Sequence, residues 1–384
     1  MKKIKVLNVI YTMGPGGAQQ VILNYLRDFK NDPDLECALC VFTAPTKSKY
    51  DEAIKKENYN VTYLNEPTTR FPIPYIRRFF QRRVTHEAWI KAIREINPDI
   101  IHVHISGLLE SVLPAIDANN VPVRFDTLHS NPYRYRGREK RTIVDAFANH
   151  DVIPVCLTNA QVQEAKDWYG ISKYEVVRNG VDIRQIQENV CSKQEARKTF
   201  GIREDAFVVI GVGRLHPIKR YDFLLEAFAE VCRSKDNAHL LLAGDGGEKE
   251  NLMQKVKQLG LEQSVTFLGD IKDTTKLYCA ADVLAVTSET ESSSLVAIEA
   301  QACGTRCVLS AGVPQESILL SNSQRMPAQA TKQDWCKALL EENACTVPEL
   351  GLEDYEVHNA SKKMKEVYLK YYSMYEKTQH TEKT

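Results

Sequence analysis

The sequence predicts an α/β protein with two doubly wound domains, each built around a parallel sheet. Short apolar runs alternate with helical patterns along most of the chain, which is the pattern typical of strand–helix–strand units. This alternation occurs in two series, and a polar stretch up to Lys198 separates them. The 384 residues are enough for two domains of ordinary size, each with its own core.

The first series opens with an apolar strand at 5–11, followed by a glycine-rich turn at 13–17 and a helical pattern from Ala18. A strand, a glycine turn and a helix start together form a unit that a phosphate can approach closely. Gln19 stands where the dinucleotide fingerprint requires a third glycine, and this argues against a dehydrogenase. Further strands of this series are predicted at 37–42, 61–64, 100–103, 123–128 and 152–157.

The second series predicts strands at 207–212, 239–243, 265–268, 283–286 and 306–309. After Gly304 the alternation weakens, and helices are predicted at 329–340 and 356–377. We therefore expect an N-terminal domain at 1–183 and a second domain at 184–355. The remaining segment, 356–384, is expected to be a helix that packs back on the first domain.

Composition and charge set limits on partners and compartment. The formal net charge is zero, so overall charge favours neither a nucleic acid nor a membrane, and we expect no nucleic-acid partner. No secretory segment opens the sequence and no apolar run is long enough to span a bilayer, which predicts a cytoplasmic protein. Cysteine spacing predicts free thiols rather than a metal site, since Cys37 and Cys40 would face opposite sides of a strand.

The most informative stretch is 290–304, which follows the strand at 283–286. Its serines fit a helix N-cap, its apolar residues keep helical spacing, and Gly304 fits the position just after the helix. A helix start at the carboxyl end of a strand suits a phosphate. Glu291 just before the helix and Glu299 within it would flank such an anion and bind hydroxyls of a sugar or ribose. Taken alone, the stretch fits a solvated loop and an exposed helix residue better.

Two cations follow the strand at 207–212. Arg214 and Lys219 lie on one short loop after Gly213, so that both side chains can turn toward a single anion. A diphosphate matches one guanidinium fork and one ammonium group well.

Three histidines lie near strand ends in the first series. His102 and His104 accompany the strand at 100–103, and His129 follows the strand at 123–128. The carboxyl ends of parallel strands face the ligand crevice of a doubly wound sheet, so these histidines are candidate ligand contacts. A structural role is an equally good interpretation of each.

Two segments, 70–83 and 133–141, combine arginines with aromatic residues. Such a composition fits the surface of an anionic bilayer or a lipid diphosphate. RNA would also fit, but no RNA-binding signature accompanies the segments. A solvated, partly packed helix explains the pattern as well as the membrane interpretation does.

Together these features resemble a retaining GT-B glycosyltransferase of the nucleotide-sugar family with the Glu-x7-Glu motif, that is, a glycosyltransferase family 4-like protein. The resemblance covers nearly the whole chain and implies two Rossmann-like domains facing a central cleft. Its motifs are the turn at 16–19, the segment 179–182, Gly213-Arg214 with Lys219, the segment 267–269, and Glu291-x7-Glu299.

The resemblance implies a role for each matching residue. Arg214 and Lys219 would bind the donor diphosphate, Glu299 the ribose and Glu291 the donor sugar. His129 would contact that sugar near the reacting carbon, so that Glu291, His129, Arg214 and Lys219 form the expected catalytic group. The remaining expected donor contacts are Gly16, Gly17, Gly269, Ile271, Ser293, Ser294, Leu295 and Val296. Neither a metal nor a separate cofactor is expected, because the cations and the helix dipole neutralise the leaving group.

One departure from the family pattern concerns 292–294, where three serines replace the usual glycine–aromatic–glycine sequence. Serine keeps the N–H donors but tolerates close backbone approach less well than glycine. The expected function is transfer of a hexose or N-acetylhexosamine from a UDP-sugar to a lipid-linked or polysaccharide-precursor acceptor at the inner membrane face. The alternatives are a nucleotide-sugar epimerase of the same fold and a non-catalytic nucleotide-sugar-binding subunit.

Overall fold

The computed structural model describes residues 2–14, 16–66, 74–271, 273–341 and 350–381, without the side chains of 74–80. The chain forms two units: Met1–Gly180 together with His358–Thr384, and Val181–Val357. The unit boundaries therefore lie at 180/181 and 357/358, a few residues from the junctions predicted at 183/184 and 355/356. Val181 pairs with Glu356 in a parallel bridge, which holds both ends of the second unit together.

The first unit contains a seven-stranded parallel sheet, in the order β3-β2-β1-β4-β5-β6-β7 among the described residues. Its strands are β1 (Ile4–Ile10), β2 (Leu35–Val41), β3 (Val61–Tyr63), β4 (Ile100–Val103), β5 (Val123–Thr127), β6 (Val152–Cys156) and β7 (Glu175–Val176). Its helices are α1 (Gly17–Asp28), α2 (Lys49–Lys56), α3 (Pro74–Ile96), α4 (Leu109–Ala118), α5 (Gly137–Asn149) and α6 (Asn159–Tyr169). The sheet order reverses between β1 and β4, which is where doubly wound sheets bind ligands.

The second unit has a six-stranded parallel sheet, in the order β10-β9-β8-β11-β12-β13. Its strands are β8 (Phe207–Val212), β9 (Ala238–Ala243), β10 (Val265–Gly269), β11 (Val283–Val286), β12 (Arg306–Leu309) and β13 (Gln324–Arg325). Its helices are α7 (Ile183–Glu188), α8 (Lys193–Thr199), α9 (Tyr221–Ser234), α10 (Lys249–Leu259), α11 (Thr275–Ala280), α12 (Leu295–Ala302) and α13 (Lys332–Leu340). Here the order reverses between β8 and β11.

The last helix, α14 (Val357–Thr381), covers one face of the first sheet. Its residues Met364, Val367 and Tyr368 are buried against the strands β1, β4 and β5. Lys365 adds ion pairs of 2.7 Å to both Asp32 and Asp34. The C-terminal segment is therefore part of the core of the first unit.

The structure also corrects several predicted elements. The sequence pattern predicts no strand at 175–176, but Glu175–Val176 pairs with β6 as an edge strand. The first basic segment, 70–83, falls mostly on the long helix α3, which has 23 residues. The helix predicted from 329 begins at Lys332, because Thr331 and Asp334 form a capping box there.

Candidate functional site

The reversal point of the second sheet gathers two loops. β8 and β11 are neighbours in the sheet, so the loops that leave their carboxyl ends lie side by side. The hydroxyl of Thr287 donates hydrogen bonds to the carbonyls of Lys219 and Arg220, at 2.8 and 3.1 Å. The amide of Glu289 donates to the carbonyl of Ile218 at 2.7 Å. These bonds fix the loop that carries Lys219 against the loop that carries Glu291.

Lys219 and Glu291 form an ion pair inside this site. The Lys219 Nζ lies 2.5 Å from Glu291 Oε1, and the two side chains are only 23% and 15% exposed. Ser288 Oγ donates to the same carboxylate oxygen at 2.7 Å. The sequence analysis assigned the two charges to different parts of a ligand, whereas the structure brings them into direct contact.

Arg214 lies at the edge of the same site with an exposed side chain. The preceding residue, Gly213, has a φ of 139°, which favours glycine, and a Cβ there would lie 3.8 Å from the Lys219 Nζ. The lysine amine therefore lies against the loop that carries Arg214. Gly244 packs directly against the backbone of this loop. A Cβ on Gly244 would lie 2.1 Å from the Gly213 carbonyl oxygen, so a side chain does not fit there.

The helix α12 begins beside this ion pair. Gly304 follows it with a φ of 80°, as predicted for the position after the helix. A serine, Ser294, is the N-cap residue as predicted, but its side chain makes no capping hydrogen bond. The Ser294 hydroxyl is buried without a hydrogen-bond partner among the described residues. Ser293, Leu295 and Val296 are half-buried beside it, and the first N–H groups of a helix have no partner within it.

Glu299, the second glutamate of the motif, accepts a 2.7 Å hydrogen bond from the hydroxyl of Tyr278 on α11. Tyr278 is fully buried, and burial together with the adjacent carboxylate raises its pKa well above the usual range. The tyrosine therefore stays a hydrogen-bond donor and orients Glu299. The sequence analysis did not find Tyr278, since nothing local marks it out.

The loop after β10 contains Gly269 and Ile271. Gly269 has a φ of 66°, and its carbonyl accepts a 2.8 Å hydrogen bond from the amide of Gly244. Ile271 is half-buried against the core around α11 and α12. This hydrogen bond joins the predicted base-binding segment to Gly244, which packs against Gly213.

Gly312 is a further residue that the sequence analysis missed. Its carbonyl accepts a 2.8 Å hydrogen bond from the amide of Glu291. A Cβ at this position would lie 2.1 Å from the carbonyl oxygen of Glu289. An isolated glycine after the β12 strand was the available signal, and the position requires glycine because another backbone passes too close.

In the first unit, Gly16 and Gly17 lie where β1 leads into α1. Gly17 is the first helical residue, and Gly16 precedes it without a side-chain cap. The side-chain amide of Gln19 donates a hydrogen bond from Nε2 to the Thr12 carbonyl at 3.0 Å. A Cβ on Gly16 would lie 2.4 Å from Gln19 Oε1. The residue that breaks the dinucleotide fingerprint therefore braces the turn.

His129 belongs to a buried chain of polar side chains. Its Nε2 lies 3.2 Å from His104 Nδ1, and His104 Nε2 lies 3.0 Å from the Asn8 side-chain oxygen. Because that oxygen can only accept, His104 carries its proton on Nε2 and must accept at Nδ1. His129 then donates from Nε2, which leaves Nδ1 as its acceptor nitrogen. Burial lowers the pKa of His129 to about 3, so this neutral form persists at pH 7.

His102 has a different position from the one expected. It lies inside β4, with its ring nitrogens 2.6 Å from the hydroxyls of Tyr368 and Thr127. These contacts join β4 to α14 and β5 within the core. The prediction that His102 lies at a ligand-facing strand end is wrong.

The two basic segments meet in one cavity of the first unit, which we call the arginine pocket. Its volume is about 1360 Å³. Its lining includes Arg82, Arg83, Arg134 and Arg138 over an apolar floor of Tyr11, Phe42, Ile105 and Leu108. Glu110 on α4 pairs with Arg138 at 3.0 Å and with Arg82 at 3.8 Å.

Residues 70–73 and the side chains of 74–80, including Arg77 and Arg78, lie outside the described part of the chain. No helix in the described ranges is long and apolar enough to cross a bilayer.

Comparison with solved structures places the fold in the GT-B class, as the sequence predicts. The HepE protein of Anabaena, solved with UDP and glucose, superposes with a TM-score of 0.78 at 20% identity, over 96% of this chain and 100% of that one. The lipopolysaccharide galactosyltransferase WaaB gives a TM-score of 0.70 at 17% identity, over 96% and 99%.

Sequence comparison identifies the family. Residues 15–185 match Glycosyltransferase Family 4, and residues 192–341 match Glycosyl transferases group 1. The chain is therefore a member of the family 4-like glycosyltransferases.

Individual relatives match mainly over part of their length. The D-inositol 3-phosphate glycosyltransferase of Segniliparus rotundus is 41% identical over 142 residues, which are 35% of this chain and 31% of that enzyme. The N-acetyl-alpha-D-glucosaminyl L-malate synthase of Bacillus anthracis is 35% identical over 35% of this chain and 37% of its own length. The EpsF protein of Bacillus subtilis is 24% identical over 81% of this chain and 80% of its own length.

Proposed function

We propose that this protein is a retaining glycosyltransferase that moves a hexose or N-acetylhexosamine from a UDP-sugar to a lipid-linked or polysaccharide-precursor acceptor. The observation that carries the proposal is the Lys219–Glu291 ion pair at the sheet reversal point, next to Arg214 and the start of α12. A buried cation beside a helix start is a site for a phosphate group.

The ion pair gives the donor site a direct chemical logic. An incoming diphosphate offers Lys219 a more highly charged partner than Glu291, so the lysine would transfer its contact to the phosphate. Glu291 would then turn its carboxylate to the hydroxyls of the donor sugar. Arg214 would add a second cation, and the N–H groups around Ser293, Ser294, Leu295 and Val296 would face the phosphate oxygens. Glu299, oriented by Tyr278, would bind the ribose, and the main chain near Gly269 and Ile271 the base.

Transfer then needs no group beyond the two substrates and these residues. The bond between the anomeric carbon and the β-phosphate oxygen breaks, and the cations neutralise the charge on the departing diphosphate. The acceptor oxygen bonds to the anomeric carbon from the same face, and its proton passes to the β-phosphate oxygen. His129 would accept a hydrogen bond from a sugar hydroxyl at Nδ1, and Gly16 and Gly17 would let a phosphate oxygen approach the start of α1.

Several comparisons support the choice of substrates. HepE was solved with UDP, with UDP and glucose, and with UDP-glucose, which supports a uracil nucleotide as donor. The acceptors in the names of two relatives, inositol 3-phosphate and malate, are anionic. The arginine pocket supports an anionic acceptor here as well, and its apolar floor favours one that carries a lipid. The serines at 292–294 would adjoin the donor sugar, and a screen of donors identifies that sugar.

A donor screen tests the proposal. Purified protein is incubated with UDP-, GDP- and ADP-linked sugars, with and without lipid-phosphate acceptors, and nucleotide release is measured. We expect release from a UDP-sugar that depends on acceptor, continues in a chelator, and gives a product with the donor's anomeric configuration. Conversion of the donor without acceptor would point to an epimerase. Nucleotide binding without turnover across the acceptor panel would point to a binding subunit.

We also propose that the protein contacts an anionic membrane through 70–83 and 133–141, which a liposome assay tests. We expect co-sedimentation with anionic liposomes that weakens with added salt and with replacement of Arg77, Arg78, Arg82 and Arg83. Replacement of Lys249 and Lys255 on α10 serves as the control. If neither salt nor the arginine replacements change the sedimented fraction, membrane contact through 70–83 and 133–141 is contradicted.

A further inference from the structure

Three cysteines from distant parts of the sequence meet in the second unit. Cys191 precedes α8, Cys279 lies on α11, and Cys303 directly follows α12. The thiols of Cys279 and Cys303 hydrogen-bond each other, and Cys279 also contacts the thiol and the backbone of Cys191. We call these three residues the thiol cluster. In the described part of the chain no group of three histidines, cysteines or carboxylates is arranged to hold a metal ion.

The cluster can be reached from outside. All three cysteines line a cavity of about 270 Å³, whose lining also includes Lys193, Asp282 and Arg306. Cys191 and Cys303 are half-buried, whereas Cys279 is buried. A liquid water molecule occupies ~30 Å³, so the cavity admits water and molecules of similar size, such as hydrogen peroxide.

One thiol of the cluster also differs in its pKa from the other described cysteines. Hydrogen bonds from Cys303 and from Cys191 lower the pKa of Cys279 despite its burial. The same contact with Cys279, together with burial, raises the pKa of Cys303. Burial raises the pKa of Cys37 and of Cys40 to about 12. Because the thiolate is the reactive form, Cys279 is the thiol that an oxidant attacks first.

We propose that the thiol cluster is a peroxide-sensitive modification site, in which Cys279 is oxidised and Cys303 closes a disulfide onto it. In the first step the Cys279 thiolate attacks one oxygen of a hydroperoxide. The O–O bond breaks, which gives a sulfenic acid and hydroxide, or alkoxide. In the second step the Cys303 sulfur attacks the sulfenic sulfur and the S–O bond breaks, so that hydroxide leaves and takes the Cys303 proton as water. The two cysteines lose two electrons and the peroxide gains them.

The modification would act on a residue pair already described. Cys279 adjoins Tyr278, and Cys303 is one helical turn beyond Glu299, whose carbonyl accepts a 3.2 Å hydrogen bond from the Cys303 amide. The Tyr278–Glu299 hydrogen bond therefore spans the same gap between α11 and α12 as the new disulfide. If the proposed function holds, closing that disulfide shifts Glu299 and weakens nucleotide binding.

Mass spectrometry tests the site without reference to activity. Full-length protein is treated with increasing hydrogen peroxide, alkylated, and digested. A tryptic digest leaves Cys279 and Cys303 in the single peptide 277–306, and cleavage after glutamate at 289, 291 or 299 separates them. We expect a linked pair that reductant reverses, formed at about tenfold less peroxide than modifies Cys37. In Cys279→Ser the link is lost, and Cys37→Ser, which removes a half-buried thiol outside the cluster, keeps it.

Two results would overturn the proposal. One is that all cysteines of the wild-type protein become resistant to alkylation at the same peroxide concentration. This measurement does not depend on the folding of any variant. The other is a link from Cys279 to Cys191 in place of Cys303. The effect on function is measured separately, as UDP affinity before and after oxidation. A disulfide that leaves an existing UDP affinity unchanged would contradict the link to Glu299, and absence of UDP binding in the reduced protein would contradict the proposed function alone.

Discussion

The Nζ of Lys219 lies 2.5 Å from Oε1 of Glu291, although 71 residues separate them in the chain. The pair exists because β8 and β11 are adjacent in the sheet while the chain between them forms β9 and β10. Each charge is mostly buried, so removal of either partner leaves the other poorly compensated. Single substitutions at the two positions should therefore change UDP affinity in opposite directions.

Glu291→Gln and Lys219→Ala should separate nucleotide binding from transfer. Without the carboxylate, Lys219 is no longer neutralised, so we expect Glu291→Gln to bind UDP more tightly while transfer falls. Lys219→Ala should weaken UDP binding and slow transfer by about 10²–10³-fold, the usual effect of removing one charge-stabilising group. Calorimetry and nucleotide release measure the two quantities. Lys255→Ala, which breaks a surface ion pair with Glu226 in the same unit, should change neither. Equal loss of UDP affinity at positions 219 and 291 would contradict this account.

Tyr278→Phe should weaken binding of the nucleotide through Glu299. A hydrogen bond to a charged group contributes ~1.5–3 kcal/mol, so we expect UDP affinity to fall about tenfold or more. The loss should be much smaller for UDP that lacks the ribose hydroxyls, since Glu299 would then have less to bind. Tyr169→Phe removes a buried hydroxyl that donates to the Pro132 carbonyl in the first unit, and should leave UDP affinity unchanged. An equal penalty with both nucleotides would rule out orientation of Glu299 as the cause.

Gly312→Ala should destabilise the second unit and misplace Glu291. The added Cβ would lie 2.1 Å from the Glu289 carbonyl oxygen, so the backbone must shift. Overpacking of this kind costs ~1–3 kcal/mol in the free energy of unfolding. Gly247→Ala is the matched control, because its Cβ would meet no atom within 4 Å and should change stability by less than ~0.5 kcal/mol. Urea denaturation measures both, and similar values for the two variants would contradict the prediction.

Asp126→Asn should remove a pH dependence of stability. Burial raises the pKa of Asp126 to about 8, whereas the unfolded chain releases this proton near pH 4. Between these values the folded protein holds one proton more, so the free energy of unfolding falls as pH rises toward 8. From pH 6.5 to 8 we expect a decline of up to ~1.4 kcal/mol per pH unit in the wild type and a flatter profile in the variant. The exposed Asp167→Asn serves as control in urea titrations, and identical slopes in all three proteins would disprove the claim.

Much of the fold could be predicted from the sequence because its local patterns are strong. The buried strand β11 is a continuous apolar run and β4 is apolar apart from His102, and the predicted bounds of both strands match the structure. The strands β7 and β13 have only two residues each, and pairing with a neighbour defines them rather than any pattern of their own. The serine at the N-cap of α12 could be predicted, but not that the Ser294 side chain is buried and makes no capping hydrogen bond.

The candidate site could be predicted only in part. The motif positions Arg214, Lys219, Glu291 and Glu299 were available from the sequence, but the contacts between them were not. Tyr278 contacts Glu299 through its side chain, and Gly312 lies against the backbone of Glu289. Both contacts depend on the order of the strands in the sheet. The thiol cluster joins residues 191 and 303, and their spacing in sequence gives no indication that they meet.

The return of α14 to the first sheet makes the second unit an insertion within the first. Residues 181–357 are continuous, whereas the first unit needs both ends of the chain to complete its core. During synthesis on the ribosome, the later half can therefore reach its native form before the earlier half does. Until α14 emerges, the strands it covers stay open to solvent, and a nascent chain paused there would be a natural client for a chaperone.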